Sequence, residues 1–328
     1  MSVDNQGDNK VPEDVISDLT EKYRIMASTM YEISKIHERA GQWDEAVHLL
    51  QIIYEIIHRA EDKKIEAKIG VLLGDLLWKR GAFHEARTIL QKANQLAEET
   101  SDCETLGDCV YHLGELYYVE AVLMRKRDHT AALEYHNKAL LLREESGDKK
   151  GVVQSLSRLG TIYEHMKNLD KALEYHKRAI TIAHEITYEE GLYRPITHIG
   201  SFYRLKGDLK TALEHYQEAL EICRRIKDRQ GLVFALGNVG RMLYDVDKNK
   251  SFDNALQLCR EALSIAEDLG FILAIDRTLL ILGDLYTSHG DEGEANQFFQ
   301  RLRKLAVDAG YEAHYQVAEK KIEDLEKS

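Results

Sequence analysis

The sequence predicts an all-α solenoid of seven helix-turn-helix repeats closed by a C-terminal helix. Three observations carry that reading: a small residue at a near-constant interval, an alanine in step with it, and a composition poor in helix breakers. The small residue stands at Ser34, Gly74, Gly114, Gly160, Gly200, Gly240 and Gly283, each behind an aliphatic residue, at intervals of 40, 40, 46, 40, 40 and 43. The alanine stands at Ala46, Ala86, Ala132, Ala172, Ala212, Ala255 and Ala295, twelve residues later in five of the seven units. With 2 prolines and 21 glycines in 328 residues, the chain lacks the turn residues a β-sandwich needs. A fixed period of this length is the mark of stacked repeats.

Each unit reads as two helices. In the fourth, Val153, Leu156, Leu159, Ile162 and Tyr163 form one helical stripe, and Leu169, Ala172, Leu173, His176, Ala179 and Ile180 form another. Glycines such as Gly41, Gly81, Gly207 and Gly290 lie between stripes, where a left-handed residue ends a helix. Asp62, Asp102, Asp148 and Asp228 open the following units and are placed to cap helix N-termini. Insertions of six and three residues, at Arg125 to Thr130 and Asp247 to Ser251, are polar and read as longer loops. A second alanine seven residues after the first (Ala93, Ala139, Ala179, Ala219, Ala262) completes the pattern, with Ile53 and Leu302 replacing it in the end units.

The repeat glycines fall in mid-helix, where glycine costs about 1 kcal/mol relative to alanine. Close approach of the paired helix offsets that cost, and the expected opponent is the repeat alanine.

The string Leu159-Gly160-Thr161-Ile162-Tyr163, followed by Ala172 and Ala179, resembles the tetratricopeptide repeat signature. The 40-residue interval is similar to the long-helix subclass of kinesin light chain and the adaptors of spindle orientation. The resemblance covers about Tyr23 to Gly310 and implies a right-handed superhelix whose first helices line the concave face. The first unit departs from the motif with Ser34 and His37, and HEAT-type repeats are the alternative fold. The expected organisation is an acidic, flexible segment at 1–20, the solenoid over 21–310, and a capping helix over 311–328 built on Tyr311, Tyr315, Ala318, Ile322 and Leu325.

Composition excludes several functions. A formal charge of −12, from 44 basic and 56 acidic residues, opposes nucleic-acid binding. No apolar run is long enough to span a bilayer, and the N-terminus lacks the basic and apolar regions of a secretory signal, so a cytoplasmic location is expected. Cys103, Cys109, Cys223 and Cys259 show no metal-finger spacing and read as reduced, buried thiols. Phosphate-loop, nucleophile-elbow and zinc-protease motifs are missing, so no cofactor, no metal and no catalytic residue is assigned. The glycines of Leu236-Gly237-Asn238-Val239-Gly240 lie inside a helical stripe with no strand before it, unlike a dinucleotide loop. His136 and His176 occupy equivalent positions and read as packing residues, whereas His112 and His198 fall two residues before a repeat glycine and are candidates for partner contact.

By the resemblance, the groove positions of the first three units carry Glu32, Glu38, Asp75, Asp108 and Glu115, with Lys35, Lys68 and Lys79 and the aromatics Tyr31, Trp78, Tyr111 and Tyr118. Those of the last four carry Arg158, Arg194, His198, Arg204, Arg241 and Arg277, with Glu164, Asp245 and Asp284 as counter-charges. Guanidinium forks on a concave wall suit carboxylates or phosphates of a peptide. Internal ion pairs such as Arg241 with Asp245 are the competing use. Kinesin-light-chain-like arrays place an asparagine two residues before the repeat glycine to hold a peptide backbone, and Asn238 alone matches. Trp78, Tyr111 and Tyr118 are aromatic anchors or inter-repeat packing, and Gly237 a notch or a neutral glycine.

The expected function is a non-enzymatic scaffold that binds an acidic or extended peptide segment in its groove. A receptor for a short regulatory peptide that changes superhelical pitch, as bacterial regulators with similar repeats do, is the alternative. A hydrolase using Glu164 or Asp284 with His165 or His198 is a remote third, for want of a nucleophile with a positioned base. Phe298, Phe299 and the last tyrosines offer a possible homodimer contact.

Overall fold

The computed structural model describes residues 42–123 and 128–327, with scattered positions between 21 and 33. All regular structure among them is helical. The expectations for residues 1–20, Tyr31, Ser34, Lys35, His37, Glu38 and Gly41 lie outside the described residues.

The chain forms two compact units that divide after Thr105. The first holds α1 (Trp43–Arg59), α2 (Lys63–Lys79) and α3 (Phe83–Glu99). Helix α4 (Cys103–Leu123) starts there and runs into the second unit. The second continues with α5 (Thr130–Ser146), α6 (Lys149–His165) and α7 (Leu169–Glu185). A 3-10 turn, Glu189–Gly191, leads to α8 (Tyr193–Leu205) and α9 (Leu209–Ile226). Then come α10 (Arg229–Val246), α11 (Lys248–Asp268), α12 (Ile272–His289), α13 (Glu292–Ala309) and α14 (Glu312–Glu326).

The sequence sets the helix boundaries through side-chain caps. Asp62, Asp148 and Asp228 accept the amides of Ile65, Gly151 and Gly231 at 3.1, 2.9 and 3.0 Å. Asp102 accepts the Thr105 amide at 3.4 Å and its hydroxyl at 3.0 Å. The equivalent positions farther along the chain are Tyr188, Phe271 and Tyr311, which supply no side-chain cap. Gly81, Gly207 and Gly290, with φ of 84°, 83° and 91°, end inner helices in the left-handed region, where a side chain is strained.

Adjacent helices pack as antiparallel hairpins α6–α7, α8–α9, α10–α11 and α12–α13, and in the first unit α2–α3. Glycine permits that packing, but against a different residue from the one expected. A Cβ on Gly74, Gly114, Gly160 or Gly200 would stand 2.5, 2.8, 2.5 or 3.0 Å from the side chain of Leu90, His136, His176 or Tyr216. Cys259 and Phe299 oppose Gly240 and Gly283 in the same way. Each opponent lies one turn beyond the repeat alanine. The alanines are fully buried and let the backbones close up, as the Ala255 carbonyl does 2.9 Å from a Cβ at Gly240.

Three expectations need correction. The insertion at Asp247 to Ser251 is helix rather than loop, because Asp247 accepts the Lys250 amide and adds a first turn to α11. In the other insertion, Asp128 and His129 precede α5 and residues 124–127 are outside the described set. Cys103 is exposed, while Cys109, Cys223 and Cys259 are free and buried. Burial pushes the Cys223 and Cys259 thiols up to about 12, which leaves them unreactive. Phe299 cannot serve a dimer, since it is fully buried over Gly283.

Helix α14 completes the last core. Ala318 and Ile322 are buried with Phe299 and Leu302, and Leu325 packs at the edge. Among the described residues, no helix is long and apolar enough to cross a membrane.

Candidate ligand-binding face

The inner helices of successive hairpins touch in the second unit, α6 against α8 and α10 against α12. Every second-half arginine singled out in the sequence lies on this inner row, and the row separates them into two kinds.

Arg158 and Arg241 are engaged by carboxylates. Arg158 Nε lies 2.5 Å from Glu115 Oε1, its Nη2 lies 2.5 Å from Oε2, and the guanidinium sits 4.8 Å from the Tyr118 ring centre. Burial opposes the charge on Arg158, but Glu115 outweighs it and holds the group above its ordinary value. Arg241 reaches Asp284 at 3.4 Å and Asp245 at 4.0 Å, the latter being the one-turn pair anticipated from the sequence.

Arg194, Arg204 and Arg277 are exposed and have no carboxylate within ion-pair distance among the described residues. Arg194 Nε donates to the Tyr193 hydroxyl at 2.8 Å. Arg277 Nη2 donates to Asn238 Oδ1 at 2.8 Å, with its guanidinium 5.5 Å from the Phe234 ring centre. Partial desolvation against Phe234, together with the like charges of Arg241 and Arg204, lowers the Arg277 pKa against the raising effect of Tyr216, although the side chain keeps exposed surface. Asn238 keeps its Nδ2 donor directed away from that bond.

The other candidates are occupied. Tyr111 is buried, with Arg143 4.4 Å above its ring and His136 at its edge, so it packs and is no exposed anchor. The Tyr118 hydroxyl bonds His165 Nε2 at 3.0 Å and its ring carries Arg158. Trp78, in the first unit, donates from Nε1 to Asp75 at 3.0 Å. Gly237 lies in α10 and a Cβ there would meet Ile281 Cδ1 at 3.3 Å, which fills the anticipated notch.

His198 has both ring nitrogens engaged, Nδ1 with Glu164 Oε2 at 2.8 Å and Nε2 with Thr161 Oγ1 at 3.1 Å. Hydroxyl, imidazole and carboxylate thus stand in line, an arrangement the sequence does not reveal. Thr161 is buried mid-helix and its hydroxyl also donates to the Ser157 carbonyl at 3.1 Å. Sequence reasoning also missed Tyr193 and Phe234, the platforms of the unpaired arginines. Their only signal is an aromatic one or four residues from a groove position.

The family assignment rests on a match over residues 117–323 to the family described as the MalT-like TPR region. The chain belongs to that family. The tetratricopeptide resemblance is thereby borne out, and HEAT-type repeats are set aside. No curated protein sequence matches this MalT-like TPR chain. Among solved structures, it is similar to a signal-transduction ATPase with numerous domains carrying a tetratricopeptide repeat sensor, from Pyrococcus horikoshii. That likeness has a TM-score of 0.56 at 17% identity, covering 92% of this chain and 46% of the other, so the chain spans about half that protein's length. It is also similar to the Rap conjugation gene regulator of plasmid pLS20 in complex with the Phr* peptide, with a TM-score of 0.70 at 13% identity and coverage of 94% and 80%. The apo form of RapI gives a TM-score of 0.61 at 14% identity, covering 91% and 99%. At these identities the likeness is one of fold.

Proposed function

We propose that the second unit is a non-catalytic docking module that holds an extended, acidic peptide segment of a partner protein against α8, α10 and α12. The observation that carries this reading is the set of three exposed arginines, Arg194, Arg204 and Arg277, with no carboxylate at ion-pair distance among the described residues, in a chain of net charge −12. An acidic protein has counter-ions in plenty, and at Arg158 and Arg241 it supplies them. Guanidinium groups without ion-pair partners along α8 and α12 suit incoming carboxylates, each contact being charge-assisted. The Asn238 amide is placed to meet a peptide backbone beside them. The complex of the pLS20 Rap regulator with its Phr* peptide supports the general use of such an array for peptides.

The same likeness favours a second reading, a peptide receptor whose hairpins shift on binding; an unchanged radius of gyration by X-ray scattering with bound peptide would exclude it. In either reading the partner is protein, with no nucleic acid, membrane or cofactor involved, and the free cysteines fit a reducing cytoplasm.

Selection of peptides from a random displayed library tests the proposal. The wild-type chain should enrich sequences with spaced aspartate and glutamate, and Arg204→Glu/Arg277→Glu should lose that enrichment while keeping its helical circular dichroism. Enrichment of neutral or basic peptides, or the same acidic set with the double variant, would sink the assignment.

A further inference from the structure

Between α6, α7 and α8 a narrow recess is lined by Glu164, Leu169, Leu173, His176, His198 and Phe202. Three of these side chains carry metal-ligating atoms. Glu164 Oε2 lies 2.8 Å from His198 Nδ1, and Glu164 Oε1 lies 3.4 Å from His176 Nε2. The two imidazole rings are parallel, 4.7 Å apart. One ligand atom from each residue falls within 4.8 Å of the other two.

The geometry points to a binding site for a single borderline divalent cation of the zinc class, with Glu164, His176 and His198 as its protein ligands. Two imidazole nitrogens and one carboxylate oxygen form a ligand set typical of zinc, and they leave a fourth position for water or a partner's side chain.

Two features support this over a plain hydrogen-bonded cluster. First, both nitrogens of His176 are buried without a hydrogen-bond partner, which is costly unless something completes them. Nε2 faces Glu164 at a distance too long for a good hydrogen bond but short enough for an ion to draw the two together. Second, His198 has a second shell: its Nε2 meets Thr161 Oγ1 at 3.1 Å, whose hydroxyl bonds the Ser157 carbonyl, and this holds the ring with Nδ1 facing Glu164, where a cation would displace the proton the two share.

The preceding interface provides an internal contrast. There Glu115 faces buried His136 at 3.5 Å, and Arg158 closes the carboxylate in the place His198 takes beside Glu164. A guanidinium cannot ligate a cation, so although both nitrogens of His136 are likewise buried without a hydrogen-bond partner, the second imidazole needed for a metal is missing there and a fixed charge faces the carboxylate instead. The site proposed uses none of the three unpaired arginines and stands independently of peptide binding.

The test is calorimetric titration of the chelator-treated full chain with zinc chloride, with the absorption spectrum of added cobalt(II) as a second readout. One equivalent of zinc should bind, cobalt should give the intense visible bands of a four-coordinate site, and His198→Ala and Glu164→Gln should each weaken binding by roughly tenfold or more. His198 is the most accessible of the three, so its removal leaves the buried ring of His176 packed against Gly160. Absence of saturable zinc binding and of cobalt bands in the wild-type chain would overturn the site. So would equal affinity in folded His198→Ala, which would move binding to other histidines. Should that variant fail to fold, the wild-type stoichiometry and cobalt spectrum decide alone.

Discussion

The imidazole of His176 rests directly on Gly160: a Cβ at position 160 would stand 2.5 Å from its Cε1 and 2.6 Å from its Nε2. The glycine therefore fixes both the closeness of α6 to α7 and the height at which a buried histidine meets Glu164. Gly160→Ala gains helix propensity of about 1 kcal/mol yet forces a methyl into a ring that cannot retreat, at about 1–3 kcal/mol. The expected net effect is a lower unfolding midpoint. Gly237→Ala is the control, since only the flexible tip of Ile281 stands near, at 3.3 Å. It should be neutral or stabilising by up to about 1 kcal/mol. Urea unfolding of the two variants checks the pair, and equal losses would contradict the steric account.

This contact also shows what a repeat pattern conveys. Glycine and alanine recur because backbones must approach, and Asp62, Asp102, Asp148 and Asp228 recur because each amide row needs an acceptor, so fold and boundaries are legible. The residues opposing the glycines are Leu90, His136, His176, Tyr216, Cys259 and Phe299. They share a position and no chemistry, so no motif announces them. The candidate site was half legible for a related reason. Groove positions identify the arginines, but whether each finds a carboxylate depends on residues about one repeat away, as Arg158 and Glu115 are, and on side-chain reach across a helix interface.

Arg158 is expected to act on stability rather than on ligand binding. Glu115 is only 3% exposed, so Arg158→Met strands a buried carboxylate, and the expected loss is about 3 kcal/mol. The double variant Arg158→Met/Glu115→Leu should recover most of it, because an apolar pair of similar volume avoids both desolvation costs. A thermal double-mutant cycle measures this. Additive losses would show that the pair is not coupled.

The neighbouring His136 predicts an acid-sensitive fold. Burial, with the positive charges of Arg158 and Arg143 facing it, holds its pKa well below 6.5, although Glu115 lies 3.5 Å away. The unfolded chain thus binds the proton more readily. The contribution of His136 is fully present above pH 6.5 and is lost as pH falls from there toward its depressed value. His136→Tyr places at Gly114 the ring that Tyr216 already places at Gly200, and should flatten the decline of melting temperature with acid over this range. An unchanged slope would assign the decline to other groups.

The unpaired arginines should trade stability for binding. Arg277 faces the like charges of Arg241 and Arg204 and has no carboxylate at ion-pair distance among the described residues. Arg277→Gln keeps a donor for Asn238 Oδ1 and removes the crowded charge, so the ligand-free protein should melt at the same temperature or higher. An acidic peptide recovered by selection should meanwhile bind roughly tenfold more weakly, the loss of one charge-assisted contact. Its affinity for the wild-type chain should fall as salt rises, and that dependence should be shallower in the variant. Fluorescence anisotropy at two ionic strengths, beside a thermal melt, separates the effects. A variant that melts lower and binds equally well would make Arg277 a structural residue and leave Arg194 and Arg204 without their neighbour on the binding face.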